Sequence, residues 1–469
     1  MRRFALDYLQ EWKKKPSRKP LVVRGARQVG KSHLVRTLAA EAFGSLLEIN
    51  LETDREAPSL FASKEPATIL PLVEARYGTA LEPGRTLLFL DEIQAAPELL
   101  SCLRYFHEKK PELHVIAAGS LLDFAMADPQ FSMPVGRIEY VHLGPMSFEE
   151  FLVAAGKESL MQFIRRFSPA DEAPEAIHGE LMRLVRQYLI IGGMPASVEA
   201  FFRTGSHREG EAVRQGILST YRDDFAKYGK HIDRRRLERV FEKIPLLAGT
   251  KFMYSSIDRE ERSRDLGRAL ELLCRARIAH RIPHTEANGV PLGAEADDRD
   301  FKVLFMDVGL LCRSCGLSVL DVEGAEDPMM VNSGAVCEQF VGQHLLHAGE
   351  PYEEPGLHCW IRQKRGSSAE VDYVISVGEK VVPVEVKAGR TGSLKSMHLF
   401  LREKGRDFGL RFNADAPSLL DAETSLADGR NRSFRLLSLP LYMVGQARRL
   451  CREAFDPERR FTPNRPGGS

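Results

Sequence analysis

The segment that most constrains the fold of this chain is Gly25-Ala26-Arg27-Gln28-Val29-Gly30-Lys31-Ser32. The short run Leu21–Arg24 before it fits a buried strand, and the residues from Lys31 to Phe43 have the spacing of a helix. Glycines allow a loop to curl so that its N–H groups face phosphate oxygens, and the following helix adds its positive end. The pattern G-x-x-x-x-G-K-S between a strand and a helix therefore predicts a phosphate-binding loop. A chance match in a glycine-containing turn is the alternative.

Two side chains of this loop have specific predicted roles. Lys31 is expected to reach the β- and γ-phosphates of a nucleoside triphosphate, and the Ser32 hydroxyl is expected to ligate Mg²⁺. The predicted ligands are therefore ATP and Mg²⁺, with the residues from Gly25 to Ser32 as the nucleotide-binding segment.

An acid pair, Asp91-Glu92, follows the apolar run Leu87–Leu90. Four apolar residues predict a buried strand, and open α/β sheets bind their ligands at the carboxyl ends of the strands. We expect Asp91 to hold Mg²⁺ through water and Glu92 to orient and deprotonate an attacking water. A solvated acidic strand end is the alternative, and it is the weaker interpretation beside a phosphate-binding loop.

Two further residues are candidates for the same site. Ser120 follows a third apolar run, Val115–Ala118, where it is placed to sense the γ-phosphate or position the water, although a turn or helix N-cap explains it nearly as well. Arg137 follows Gly136 in a predicted loop. It is a candidate arginine finger, acting in cis or on a neighbouring subunit of a homo-oligomer, and a surface salt bridge is the alternative.

Composition limits the class of protein. The chain has 469 residues, 43% of them hydrophobic and 28% charged, which predicts a soluble globular protein of about three domains. The net charge of +1 provides no overall attraction to nucleic acid or membrane. Seven cysteines with irregular spacing, including a lone Cys312-x-x-Cys315, predict reduced thiols. We find no signal peptide and no run of about 18 apolar residues, so a cytoplasmic location is expected.

Several segments resemble one family. GARQVGKS, LLFLDEIQ, AAGSLLDF and GRIEYVHLGPMSFEEF resemble the prokaryotic AAA+ ATPases in which a C-terminal domain of unknown function follows the ATPase domain. The later segments YLIIGGMP, KVLFMDVGLL, GAVCEQFV and EVDYVI…VPVEVKAG look like the same family. The resemblance spans about residues 15 to 445. It implies an AAA+ core, a helical lid, a winged-helix segment and a fold related to restriction endonucleases.

The predicted fold class is α/β, because three apolar strand candidates alternate with helical segments and this order is typical of a parallel sheet. With the resemblance, we expect a P-loop AAA+ parallel sheet, then a helical lid and winged-helix segment, then a smaller α/β restriction-endonuclease-like domain. The expected boundaries are 1–155 for the ATPase domain, 156–228 for the lid, 229–300 for a basic winged-helix-like segment, 301–446 for the last domain, and 447–469 for a basic, unstructured tail.

Basic charge is concentrated in residues 225–282, which carry fifteen Lys or Arg against eight Asp or Glu. Within them, 263–278 predicts a helix with one apolar face. Four arginines fall largely off that face, Arg264, Arg268, Arg275 and Arg277. Such a helix suits the recognition helix of a winged-helix domain, so DNA is a predicted partner of this segment and of the C-terminal domain. A solvated lid helix or a protein-binding face is the alternative.

A second candidate site lies near the C-terminus. Two strands, 371–377 and 381–386, are separated by a Gly378-Glu379-Lys380 turn, and a hairpin would bring Asp372 close to Glu385 and Lys387. Two carboxylates there are suited to Mg²⁺, and the lysine is suited to stabilising developing charge. With Glu338 upstream, the set resembles the PD-(D/E)xK nuclease pattern, without the proline before the first Asp.

This pattern leaves two functions open. One is an enzyme in which ATP-driven rearrangement controls a nuclease domain that acts on DNA. The other is an ATP-dependent switch or scaffold whose C-terminal domain only binds nucleic acid or a protein partner, because such a fold can lose catalysis and keep its shape.

Overall fold

Two β-sheets organise the chain in the computed structural model, which describes residues 1–125, 136–227, 233–317, 333–364, 367–389, 394–425 and 431–455. The first sheet has five strands and the second has eight. Helices lie around both sheets and also form a separate group between them in the sequence.

The first sheet is parallel throughout, with the order β2-β3-β4-β1-β5. Its strands are β1 Leu21–Arg24, β2 Ser45–Asn50, β3 Thr86–Asp91, β4 His114–Gly119 and β5 Glu139–His142. Strands β1, β3 and β4 are buried along their whole length, as expected for a sheet covered by helices on both faces. Because β4 lies between β1 and β3, the residues that follow these three strands meet at one edge of the sheet.

The helices of the first half pack on and beside this sheet. They are α1 Ala5–Lys14, α2 Lys31–Ala42, α3 Pro66–Tyr77, α4 Leu100–Lys109 and α5 Leu122–Ala125. Five further helices follow without an intervening strand: α6 Phe148–Ala154, α7 Glu158–Arg166, α8 Glu175–Ile191, α9 Pro195–Thr204 and α10 His207–Asp224. Helix α6 begins with a capping box, in which Ser147 accepts from the Glu150 N–H and the Glu150 carboxylate accepts from the Ser147 N–H.

The second sheet has the order β12-β13-β11-β10-β9-β8-β6-β7. Its strands are β6 Ala279–Thr285, β7 Ala296–Phe305, β8 His358–Lys364, β9 Ser367–Val377, β10 Lys380–Val386, β11 Phe408–Asn413, β12 Ser418–Ser425 and β13 Asn431–Pro440. The remaining helices are α11 Arg234–Lys243, α12 Ser263–Arg275, α13 Val308–Ser314, α14 Ser333–Leu346, α15 Lys395–Lys404 and α16 Ala447–Phe455.

The second sheet crosses one of the boundaries expected from the sequence. Strand β7 runs from Ala296 to Phe305, so a boundary at residue 300 cuts a strand, and residues 296–300 are not loop. The antiparallel pair β6 and β7 joins the C-terminal strands through contact between β6 and β8. The sequence did not predict the first half of β7 because its residues are polar. They are largely exposed, and only the second half of the strand is buried.

Two helix ends also differ from expectation. The helix expected over 263–278 ends at Arg275, because Arg277 has a left-handed backbone with φ of 58°. Residues 447–455, expected as part of an unstructured tail, form α16 and bury Leu450 and Cys451. Their apolar residues recur at helical spacing, which the basic composition of the tail obscured. The rest of that tail, 456–469, lies outside the described residues.

Helix α14 packs the second sheet against the first half of the chain. The Phe340 ring lies 6.3 Å from Phe148 and 5.5 Å from Tyr188, measured between ring centroids. The Phe148 N–H donates to Nε2 of His344 at 2.9 Å. One continuous apolar core therefore extends from the first sheet to the second. Among the described helices, none has both the length and the apolar character needed to cross a bilayer.

Candidate functional site

The loop between β1 and α2 has the backbone that its glycines require. A Cβ on Gly25 would clash with the carbonyl oxygen of Leu143, so a larger residue would displace the neighbouring segment. Gly30 has φ of 94°, a left-handed conformation that glycine adopts without steric cost. The loop therefore approaches its neighbours closely and turns directly into the N-terminus of α2, where backbone N–H groups are available to an anion.

Lys31 is buried at the start of α2 and folds back over the loop. Its ammonium donates to the carbonyl oxygens of Gly25 at 3.1 Å and Ala26 at 2.8 Å. Burial lowers the Lys31 pKa to about 8, against the opposing effect of the nearby Glu92 and Asp91 carboxylates. The loop thus holds a poorly solvated cation that a phosphate group would stabilise.

Ser32 and Asp91 lie in direct contact beside the loop. The Ser32 hydroxyl donates to Oδ2 of Asp91 at 2.7 Å, and the Glu92 N–H donates to Oδ1 at 3.0 Å. Burial raises the Asp91 pKa, and the Ser32 hydrogen bond opposes that shift. Glu92 has φ of 53° and accepts from Nε2 of Gln94 at 2.6 Å. The two acidic side chains therefore have different hydrogen-bond partners.

Ser120 lies at the end of β4 and contacts the loop through Arg27. Nε of Arg27 donates to the Ser120 hydroxyl at 3.4 Å, and Nη1 lies 2.8 Å from Oδ2 of Asp224. The Tyr221 hydroxyl donates to the Arg27 carbonyl oxygen at 2.6 Å. Arg27 thus connects the loop both to β4 and to the end of α10.

Arg137 lies away from this group of residues. It precedes β5, whose first residue, Glu139, pairs with Leu21 at the start of β1. Because the two strands are parallel, Arg137 lies at the amino-terminal edge of the sheet, whereas the phosphate-binding loop follows the carboxyl edge. Its Nε donates to Glu108 at 2.9 Å. This placement excludes the predicted action in cis on the chain's own loop, and action on a neighbouring subunit stays a prediction.

The prediction from the sequence missed Arg3 and Arg24 around the site and placed Arg277 on the basic face of the predicted recognition helix. Arg3 is buried and donates to the carbonyl oxygens of Val29 at 2.7 Å and Gly144 at 2.8 Å. Arg24 lies 3.4 Å from Asp123, to which Arg277 also donates at 3.2 Å. Basic residues at the ends of elements are common on surfaces, so no local signal separated these from solvent-exposed ones.

The residues present fit a nucleotide with Mg²⁺. Because Gly25 has no side chain, the loop can pass close to Leu143 and curl around a phosphate group. Lys31 supplies a buried cation. The Ser32 hydroxyl and the Asp91 carboxylate are hard oxygen donors, which Mg²⁺ prefers.

Asp372 and Glu385 lie on adjacent strands of the second sheet, as the predicted hairpin required, while Lys387 directly follows β10 and Glu338 lies on α14. Strands β9 and β10 are antiparallel with Tyr373 opposite Val384, and the Val386 N–H donates to Oδ2 of Asp372 at 2.8 Å. The Lys387 ammonium lies 2.6 Å from Oε1 of Glu385. Burial raises the Glu385 pKa, and the nearby Asp372 carboxylate acts in the same direction.

The structure brings two further acids to Asp372, which the sequence predicted to act with Glu385. Glu338, Glu370 and Asp372 each place one oxygen within 4.8 Å of the other two. Glu385 stands outside this group of oxygens among the described residues and pairs with Lys387 instead. Glu370 was not predicted as a ligand, although its two-residue spacing from Asp372 puts both on one face of β9.

Lys302, also missed, lies among these carboxylates. Its ammonium is 2.6 Å from Glu338 and 3.4 Å from Asp372, and it contacts Glu370 directly. Burial would lower the Lys302 pKa, but the three carboxylates raise it well above its ordinary value. The available signal was a single charged residue within the apolar run Phe301–Phe305.

Family models match three segments of the chain. Residues 17–152 match the AAA domain, residues 182–321 match a domain of unknown function (DUF8612), and residues 333–440 match another domain of unknown function (DUF4143). Residues 17–152 therefore match an AAA domain, and the parallel sheet fits that match. The predicted winged helix and restriction-endonuclease-like fold stay predictions. No curated protein matches the chain in sequence.

Three solved structures share general similarity with the chain. PCH-2 from C. elegans is 10% identical, with 40% of this chain and 56% of that chain covered and a TM-score of 0.25. A STAND ATPase with a tetratricopeptide repeat sensor from Pyrococcus horikoshii is 13% identical, with 74% and 45% covered and a TM-score of 0.26. The S. cerevisiae Hsp104–ADP complex is 14% identical, with 58% and 38% covered and a TM-score of 0.27. The chain thus spans 38% to 56% of the length of these proteins.

Proposed function

We propose that the AAA domain binds ATP with Mg²⁺ and hydrolyses it, and that its nucleotide state controls the C-terminal half. The observation that carries the first part is the 2.7 Å hydrogen bond from Ser32 to Asp91 beside the buried Lys31. It joins the end of the phosphate-binding loop to the end of β3, so one small volume contains a cation, a hydroxyl and two carboxylates.

Each of these groups has a role in phosphoryl transfer. Bound Mg²⁺ would neutralise charge on the phosphate oxygens, and Ser32 and Asp91 would hold it. Lys31 would exchange its two loop carbonyl acceptors for phosphate oxygens. Glu92, whose carboxylate accepts from Gln94, would accept a proton from the attacking water. Ser120 would orient that water or contact the γ-phosphate.

Replacing Glu92 by Gln tests this assignment. The substitution retains size and hydrogen bonding but removes the base, so turnover should fall by roughly 10²–10⁴-fold while ATP affinity is retained. Phosphate release and calorimetric ATP binding measure the two quantities. Glu98→Gln, an exposed change on the neighbouring turn, is the matched control. Normal turnover in the Glu92→Gln protein would show that another residue is the base.

Control of the C-terminal half is supported by contacts at Asp123. This residue lies three positions after Ser120, and its carboxylate contacts Arg24 at the end of β1 and Arg277 just before β6. A change at the ends of β1 and β4 would therefore reach the start of the second sheet through one carboxylate. An arginine finger supplied by Arg137 within a homo-oligomer remains part of this proposal.

DNA is the partner that we propose for the basic segment. Three arginines of the segment are exposed on or beside α12, Arg262, Arg264 and Arg268. Others are neutralised within the protein, such as Arg234 by Glu238 and Arg275 by Glu271. Exposed arginines on and directly before one helix suit contacts with a phosphate backbone.

The DNA proposal is tested by fluorescence anisotropy with a duplex in ATP and in ADP. Replacing Arg262, Arg264 and Arg268 by Gln should weaken binding and lower the slope of log affinity against log salt by about one for each phosphate that is no longer neutralised. The matched control replaces Arg234 and Arg275, whose charges are already paired. Equal binding by both variants would favour a protein partner for this face.

A further inference from the structure

We propose that the Lys302 ammonium is the resident cation of the Glu338, Glu370 and Asp372 carboxylates, in the position that a divalent metal would occupy. The C-terminal domain then holds no metal at this cluster and does not cleave phosphodiester bonds there. The proposal concerns a site remote from the phosphate-binding loop and does not depend on ATP hydrolysis.

The donor count of lysine matches the cluster. An ammonium has three N–H donors and no acceptor, and Lys302 has three carboxylate partners. The distance to Glu338 is 2.6 Å and that to Asp372 is 3.4 Å. Each proton of the ammonium therefore has one acidic partner, and the cation is saturated by the cluster.

A metal ion would need the same oxygens. The three carboxylate oxygens lie within 4.8 Å of one another, a spacing that suits ligands at about 2.0–2.6 Å from one shared ion. An ion at that centre would lie against the ammonium nitrogen and be repelled by its charge. The metal and the charged lysine thus exclude each other.

Lys302 should occupy the carboxylate cluster in preference to a metal ion. Its side chain is 3% exposed, and it extends from β7, which is held by pairing with β6. A tethered cation loses no translational freedom on occupying the site, whereas a metal ion loses both freedom and water. Displacing Lys302 would also leave its charge buried without a partner, which is costly.

The neighbouring Glu385 supports the same view. It is buried, and its Oε1 pairs with Lys387 while its Oε2 has no hydrogen-bond partner. A nuclease of the predicted pattern would use this carboxylate as a second metal ligand. Here its Oε1 is held by the Lys387 ammonium, so the cluster resembles a nuclease site in residue types and differs from one in its cation.

Lys302 and the acids come from different matched segments. The lysine lies within residues 182–321, and the three acids lie within residues 333–440. The preceding segment therefore supplies a positive charge that offsets part of the negative charge of the acidic cluster, and this contact joins the two regions of the second sheet.

The test uses the whole chain without nucleotide and Mn²⁺ as the probe, followed by electron paramagnetic resonance. The wild type should bind no Mn²⁺ that depends on Asp372, and Asp372→Asn should leave its Mn²⁺ binding unchanged. Lys302→Met keeps the length and removes the charge, so it should gain a site at least about tenfold stronger than the wild-type background. The double variant with Asp372→Asn should lose that gain.

Three results would overturn the proposal. One is Asp372-dependent Mn²⁺ binding by the wild type. Another is a folded Lys302→Met protein that gains no site. The third is DNA cleavage by the wild type with Mg²⁺ or Mn²⁺ that Asp372→Ala or Lys387→Ala abolishes. If Lys302→Met is destabilised, Mn²⁺ should raise its thermal unfolding temperature. If Mn²⁺ does not raise it, the measurements of Mn²⁺ binding and DNA cleavage by the wild type test the proposal. Normal ATP turnover accompanies either outcome, so failure here is distinct from failure of the ATPase proposal.

Discussion

Lys31 is positioned for phosphate binding at a site where its ammonium group is poorly solvated. It is buried, and its ammonium donates to two carbonyl oxygens of its own loop. The nearest carboxylates raise its pKa but do not offset the effect of burial. Such a cation is positioned to bind phosphate, and the loop has no other lysine to replace it.

We therefore predict that Lys31→Ala lowers ATP affinity by about one to two orders of magnitude or more, because it removes charge-assisted hydrogen bonds in a partly desolvated loop. Isothermal titration calorimetry measures the affinity, and thermal unfolding checks the fold. The nucleotide-free variant should unfold at a temperature equal to or above that of the wild type. Lys14→Ala, at an exposed position on α1, is the control. ATP affinity that is unchanged in the folded variant would contradict the assignment of the loop.

At the scale of elements, an ion pair joins the phosphate-binding loop to α10 beside the hydrogen bond from Tyr221. Arg27 and Asp224 lie 2.8 Å apart, with side chains that are 18% and 6% exposed. Removing either partner takes a close opposite charge away from a mostly buried group, so this pair orients α10 against the loop more strongly than a surface ion pair would.

A double-mutant cycle on Arg27→Gln and Asp224→Asn tests that coupling. We expect each single change to weaken ATP binding and the double change to cost less than the sum, with a coupling energy of about 1–3 kcal/mol. ATP affinity and thermal stability of the four proteins provide the numbers. Asp223→Asn, the exposed neighbour, should have no effect. Additive effects would show that the loop and α10 act independently.

Helix α14 connects two regions in a different way. Glu338 near its start belongs to the acidic cluster, and His344 one and a half turns later accepts from Phe148 at the start of α6. One rigid helix therefore contacts both the second sheet and the segment that follows the AAA sheet. A shift of α6 would be transmitted to the cluster by packing.

At the scale of the whole molecule, buried histidines make stability depend on pH. Burial lowers the pKa of His344, His347 and His114 to about 4 and that of His142 to about 3. In the unfolded chain these groups have pKa values of about 6.5. Between about pH 6.5 and 4 the unfolded chain therefore binds more protons, and protonation favours unfolding.

The expected result is that the free energy of unfolding is highest above pH 6.5. It should fall on acidification by up to about 1.4 kcal/mol per pH unit for each such histidine. Urea unfolding at pH 7.5, 6.0 and 5.0 measures the slope. His344→Gln should make it shallower, and His33→Gln, at an exposed position, should leave it unchanged. A flat stability profile over this range would contradict neutral, buried histidines.

The sequence by itself determined the parts of the protein that depend on neighbours along the chain. The loop from Gly25 to Ser32, the strand before it and the helix after it follow from local pattern, and so does the hairpin that carries Asp372 and Glu385. The AAA match at residues 17–152 agrees with the nucleotide-binding assignment. These features were predictable because glycine conformation, strand periodicity and the end of a parallel strand are properties of short segments.

Only the tertiary structure decided which distant groups meet. Lys302 comes to the acidic cluster through strand pairing, Arg137 is placed at the far edge of the sheet by the parallel register, and α16 is buried by packing. None of these follows from local pattern, because a charged residue in an apolar strand or a basic helix is compatible with many partners. The choice among partners depends on long-range contacts that form only when the chain is closed into one core.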